Sequence, residues 1–140
     1  MPKRIALTDS VKIDTTDLSD FARQVQFTSS DAQVDVSGFN PTGVNEYLSG
    51  PRTQSVTVDF YGSYGTGEVH QTLWPIYKAR TTHAFAWRPD GSTAVGVNNP
   101  ELRANVKIYD YGPGAQRGSE DSFQVTFMSA DSAGFDWFTT

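Results

Sequence analysis

A chain of 140 residues with a formal net charge of −5 and a sequence pI near 4.8 has room for one hydrophobic core and too few cations to hold nucleic acid or an anionic membrane by counterion release. It has no cysteine, which excludes a disulfide framework and a thiolate metal site and leaves stability to packing or assembly. No run of 18 apolar residues occurs and the opening MPKRIALTDS has no apolar signal core, so the expectation is a single domain over 1–140, made and kept in a cytoplasm.

In chain order, Ile5 to Leu7 and Val11 to Ile13 are apolar stretches split by Thr8-Asp9-Ser10, which predicts a terminal strand or hairpin. Asp17-Leu18-Ser19-Asp20 offers side-chain acceptors for a tight turn. Val25 and Phe27 then alternate with Gln24, Gln26 and Thr28, a turn is expected at Ser29-Ser30-Asp31, and Val34 and Val36 alternate with Gln33, Asp35 and Ser37. Residues 38–52 hold three glycines, two prolines and two asparagines, and predict a long loop. The clearest strand follows, with Val56, Val58 and Phe60 on one face and Ser55, Thr57, Asp59 and Tyr61 on the other.

Helical spacing occurs in one place. Val69, Leu73, Ile76 and Tyr77 fall at i, i+4, i+7 and i+8, predicting a helix over about 67–79 that Pro75 should kink or break. Alternation returns at 83–88, at Thr93, Val95 and Val97, at Leu102, Ala104, Val106 and Ile108, and finally at Phe123, Val125 and Phe127 against Ser122, Gln124, Thr126 and Met128. A C-terminal tail over about 134–140 closes the chain. The pattern is mainly β, a sandwich or open barrel with one flanking α-helix.

Chemistry finds little support. His70 and His83 are not spaced as metal ligands and read as solvated; no GxSxG surrounds a serine, and Asp110, Glu120, Asp121 and Asp131 lack the spacing of a calcium loop. Gly62-Ser63-Tyr64-Gly65 with Gly67 has no following Lys-Ser or Lys-Thr and is not a phosphate loop. Trp74, Trp87 and Trp137, with six tyrosines and nine phenylalanines, read as core and interface rings rather than a sugar platform. No enzyme is expected, and no catalytic, metal or cofactor residue.

Certain phrases in this order resemble the tail tube protein of long-tailed phages, the siphovirus-like major tail protein. They are Val34-Asp35-Val36-Ser37-Gly38-Phe39, Tyr47-Leu48-Ser49-Gly50 leading into Ser55-Val56-Thr57-Val58-Asp59-Phe60, Gly67-Glu68 with Leu73-Trp74-Pro75-Ile76-Tyr77, Phe85-Ala86-Trp87-Arg88-Pro89, Asn98-Asn99-Pro100 and Ser122-Phe123-Gln124-Val125-Thr126-Phe127. The resemblance implies a tail-tube-like β-sandwich or barrel and hexameric rings stacked into a hollow tube that conducts DNA without binding it specifically. It also implies a place in the virion tail after synthesis in a host cytoplasm. The partners implied are further copies of the chain, a tail-tip initiator complex, a tape-measure protein and a tail terminator, with no membrane. On this reading Gln33, Asp35, Ser55, Thr57, Asp59, Gln124 and Thr126 are candidates for the channel wall, and Phe39, Val44, Glu46, Tyr47, Leu48 and Arg52 for a ring-stacking loop. A terminator, head-tail connector or head decoration protein is the alternative, and a carbohydrate-binding β-sandwich a more distant one.

Overall fold

The computed structural model describes residues 8–38 and 43–140. The strand expected at Ile5 to Leu7 and the candidate Phe39 lie outside these residues. The elements are β1 (Ser10–Ile13), β2 (Thr16–Asp17), β3 (Ala22–Asp35), β4 (Tyr47–Tyr61), α1 (Val69–Ala79), β5 (His83–Arg88), β6 (Glu101–Gly114), β7 (Ser122–Ser129) and β8 (Asp136–Phe138). All strands belong to one antiparallel sheet in the order β2-β1-β5-β6-β7-β4-β3, with β8 pairing to the first residues of β6.

Seven strands laid flat would hold the outermost two roughly 30 Å apart. Yet β2 and β3, which end the path, are separated in the chain only by residues 18–21, and such a link spans at most about 18 Å. The sheet therefore curls into an open barrel rather than splitting into a two-sheet sandwich. Hydrogen bonds tie the link to both sides: Leu18 N–H donates to Val11 O at 2.9 Å, Phe21 N–H to Leu18 O at 3.1 Å, and Tyr61 N–H to Phe21 O at 2.7 Å. Leu18 itself is fully buried.

Alternation fills the inside. Val56, Val58 and Phe60 of β4, Phe123, Val125 and Phe127 of β7, Leu102, Val106 and Ile108 of β6, Phe85 of β5, and Val11 and Ile13 of β1 form one buried cluster. A bulge between Ile108 and Asp110 adds one residue to β6 and reverses which residues point inward. Tyr111 thus joins the core side while Tyr109 turns out to solvent.

The helix covers a gap in this wall. β5 stops at His83 opposite Val106, so β6 from Lys107 onward has a strand on one side only, and α1 packs against β6. Val69 and Leu73 are fully buried and Ile76 and Tyr77 half-buried, the face expected from their spacing. Gly67, at φ +76°, lies outside the helix, which begins at Val69. Pro75 does not break it: α1 runs on to Arg80, whose left-handed backbone (φ 56°) turns its N–H back to the carbonyls of Ile76 and Tyr77. Burial of the flanking turns outweighs the one donor that proline removes.

His70 is not solvated. Its Nδ1 lies 2.8 Å from the Tyr111 hydroxyl, its ring stacks on Trp74, and Tyr64 and Phe123 flank it. His83 hydrogen-bonds Asp14. Burial, and secondarily the neighbouring Tyr64, push the Tyr111 phenol up to about 12.

Four further expectations are corrected. Ser29-Ser30-Asp31 is not a turn but the middle of β3, held extended by cross-strand partners: Gln54 Nε2 reaches Ser29 Oγ at 3.4 Å and Arg52 pairs with Asp31. The loop over 38–52 is shorter than expected, because β4 begins at Tyr47; Gly50 and Pro51 sit at a bulge opposite Ala32, where a missing N–H costs no ladder bond. The strands run close there: a Cβ on Gly50 would sit 3.0 Å from that of Ala32, a tight contact that Ala32 would have to yield to. Thr93, Val95 and Val97 form no strand; the buried Asn99 amide donates to the carbonyls of Asp90, Thr93 and Ala94 and knits 90–99 into a turn-rich loop. The tail over 134–140 contains β8, and of its aromatics Phe135 is buried against Phe27 and Phe85 while Trp137 and Phe138 stay exposed.

Two outcomes test this packing. Leu73→Ala should lower the unfolding free energy of the monomer by about 2–5 kcal/mol, read from urea denaturation, and an unchanged midpoint would show that α1 is not held as described. Tyr111 is raised in the folded state, so its contribution is complete below its ordinary value of 10.0 and is lost as pH rises toward about 12. Wild-type stability should fall across that window more steeply than that of Tyr111→Phe, and an ultraviolet phenolate titration should lose its latest step in the variant.

Candidate functional site

The same alternation that fills the barrel leaves its outer side polar over β3, β4, β7 and β6. Register aligns the side chains in rows: Gln24, Asp59, Gln124 and Gly112; then Gln26, Thr57, Thr126 and Asp110; then Thr28, Ser55, Met128 and Lys107. Between these rows Val25, Val58, Val125 and Tyr111, and then Phe27, Val56, Phe127 and Ile108, point to the core. The Thr57 and Thr126 hydroxyls lie 3.4 Å apart and link β4 to β7 across the face. Charge on these rows is sparse and mixed, with Asp59 and Asp110 against Lys107.

Five of the seven expected channel-wall residues, Ser55, Thr57, Asp59, Gln124 and Thr126, meet on this face. Gln33 and Asp35 do not. Because β3 continues through 29–31 without a turn, both fall on the side of the strand that carries Val25 and Phe27, and both lie beyond the part of β4 that β7 covers. Asp35 is engaged locally: the Ser37 N–H donates to its carboxylate at 2.8 Å and holds that group below the usual carboxylate range. Gln24, Gln26 and Asp110 belong to the face as well; alternation with Val25 and Phe27 already sets the two glutamines on it, whereas Asp110 reaches it only through the β6 bulge.

Beyond Ser55 the β3-β4 pair leaves the barrel. β7 pairs with β4 only from Ser55 to Tyr61, so residues 28–35 and 47–54 run on as a two-stranded ribbon. Neither side of it is covered: Val34, Val36, Tyr47 and Leu48 are exposed, Leu48 by 60%. Alternation puts Val34 and Leu48 on the side continuous with the polar rows, and Tyr47 beside Asp35 on the other. An isolated two-stranded ribbon is marginal in water, and exposed apolar groups on a narrow projection mark a contact surface.

The stacking candidates are thus partly redistributed. Tyr47, Leu48 and Arg52 are strand residues, Val44 and Glu46 stay in the connection, and Val44 is exposed. Arg52 is occupied within the chain, its Nε 2.6 Å and Nη2 3.2 Å from the Asp31 carboxylate. That pair holds the Asp31 carboxyl below its ordinary range and straps the ribbon at its root. Beside the root lies a cleft of about 840 Å³ between β4 and the segment leading to β8, where Gln54 clamps the Phe135 backbone through both its amide oxygen and nitrogen. Among the described residues no three His, Asp or Glu side chains gather as metal ligands.

No protein-family profile matches the sequence and no curated protein matches it. Solved structures do match in fold. A chain in the virion of a native gene transfer agent particle superposes with a TM-score of 0.74 at 15% identity, over 96% of this chain and 98% of that one. The tail of an empty gene transfer agent particle, of C6 symmetry, gives 0.67 at 15% identity over 86% and 83%. The tail tube of SPP1 gives 0.69 at 11% identity over 95% and 77%. At these identities the likeness is one of architecture, and the architecture, a curled antiparallel sheet with one helix, is the one those tail structures share.

Proposed function

We propose that this chain is the repeating subunit of a phage-type tail tube, a structural protein that forms rings stacked into a hollow conduit for DNA. The observation that carries the reading is the β3-β4 ribbon, a projection that exposes Val34, Val36, Tyr47 and Leu48 and has nothing among the described residues to rest on. The architecture shared with gene transfer agent and SPP1 tail structures supports it, and the C6 symmetry of one of them supports six copies per ring.

The rest of the surface fits. The polar wall ends in a free edge at β3 and, along β6 past Val106, in a margin that has no further strand and is flanked by α1, so copies set side by side extend one polar lining round a central bore. Such a lining suits sliding DNA. Its neutral amides and hydroxyls, with few cations, offer phosphates no fixed counter-charge to bind. Ring-to-ring contact through the ribbon joins two different surfaces, and contacts of that kind do not close but propagate into a filament. A tail-tip initiator, a tape-measure protein and a terminator are the partners such a filament needs to start, to set its length and to stop, and the virion tail is then its location.

The ribbon supplies the test. Tyr47→Ser with Leu48→Ser should leave a folded, soluble subunit, because both side chains are exposed, yet abolish elongation seen by sedimentation and negative-stain microscopy. Tubes of wild-type length from the double variant would contradict the stacking role.

A further inference from the structure

Four of the nine cations among the described residues are engaged by a carboxylate or a ring of the same chain. Arg52 pairs with Asp31, Arg88 and Arg103 flank Glu101, and Arg23 lies over the Tyr61 ring. Lys78, Arg80 and Lys107 form no ion pair among the described residues. All three line one cleft of about 450 Å³, between the C-terminal end of α1 and β6, together with Trp74, Tyr77 and Tyr109. Among the described residues no carboxylate lines it. In a chain of net charge −5 this gathers three like charges in one place, an arrangement that favours an incoming anion.

An anionic knob stands at the other end of the same helix. The β6-β7 connection turns at Arg117-Gly118-Ser119 and then carries Glu120 and Asp121, whose carboxylates make no hydrogen bond or ion pair among the described residues and leave the segment net acidic. Its position is fixed. The Gly62 N–H donates to Asp121 O at 2.8 Å, and a Cβ on Gly62 would come within 2.1 Å of that of Asp121, so only glycine lets the tip lock against the segment leading into α1. Eleven helical residues, roughly 16 Å, separate knob from cleft, and the two cannot meet in one molecule.

We propose that the cationic-aromatic cleft receives the Glu120-Asp121 tip of a second copy of the chain, displaced along the α1 axis into the adjoining ring. The contact rests on the tube reading and adds to it a second stacking point on the opposite side of the subunit wall from the ribbon's own contact. Opposite charges at the two ends of one element also set the polarity of stacking, since a reversed copy would bring cleft to cleft and tip to tip.

Charge exchange tests the proposal. Lys78→Glu with Arg80→Glu should raise the concentration needed for tube assembly by about tenfold or more, as should Glu120→Lys with Asp121→Lys, and the four changes combined should restore it to within about threefold of wild type. Circular dichroism and melting check that each variant is folded. In this cysteine-free chain, Lys78→Cys with Glu120→Cys should yield covalent ladders of subunits when tubes are oxidised, and neither single cysteine should. Unaltered assembly of the cleft variant, failure of the combined variant to recover, or tubes that give no ladder would overturn the contact while leaving the tube reading in place. Wild-type protein that never forms tubes would instead sink the tube reading, and this contact with it.

Discussion

Four residues between β2 and β3 impose the shape of the whole domain. Because 18–21 must join the two ends of a seven-strand path, the sheet has to curl, and once curled it has an inside that apolar side chains fill and an outside that they do not. Leu18 sits in the seam with its N–H on β1, while Phe21 hands its carbonyl to β4. The seam is bridged rather than zipped. Closure by side chains and a few hydrogen bonds leaves the free edge of β3 available, which a fully closed barrel would not.

The remaining features answer problems that this curl creates. β5 is too short to cover the whole of β6, and α1 fills the gap with Val69 and Leu73 beneath and a group of rings, His70, Trp74, Tyr77 and Tyr111, alongside. One end of the barrel is closed by Phe135, positioned by Gln54 and packed on Phe27 and Phe85. What the fold leaves unanswered is all directed outward: a polar wall with open edges, a ribbon with two bare sides, a cationic cleft and an acidic tip. In the proposed stacked ring the ribbon, the cleft and the tip would each meet another copy and the polar wall would face the bore.

Legibility in the sequence followed the range of the interactions. Alternation is local, so the strands carrying Val56 to Phe60 and Phe123 to Phe127 and the buried face of α1 could be read directly, and with them five members of the polar wall. Gln33 and Asp35 were misassigned because Ser29-Ser30-Asp31 looks like a turn, and a turn resets which side each later residue takes. Only the partners of that segment, Arg52 and Gln54 more than twenty residues away, keep it extended. Gly50 and Pro51 misled in the same manner, since a bulge uses the residues a loop uses. His70 looked solvated because Tyr111 reaches it only after the β6 bulge reverses the strand's facing, and the tail's role depended on a clamp 81 positions back in the chain. Family resemblance reached the architecture by another route, through the order and spacing of short phrases.

The central claim is that the polar wall of each subunit faces a common bore. Cryo-electron microscopy of assembled protein, at a resolution that traces strands, tests it most directly. The account requires a hollow tube with Ser55, Thr57, Asp59, Gln124 and Thr126 lining the channel and the 28–35 and 47–54 ribbon seated on the adjoining ring. A tube whose channel is lined by α1, with those five residues on its outer surface, would contradict it.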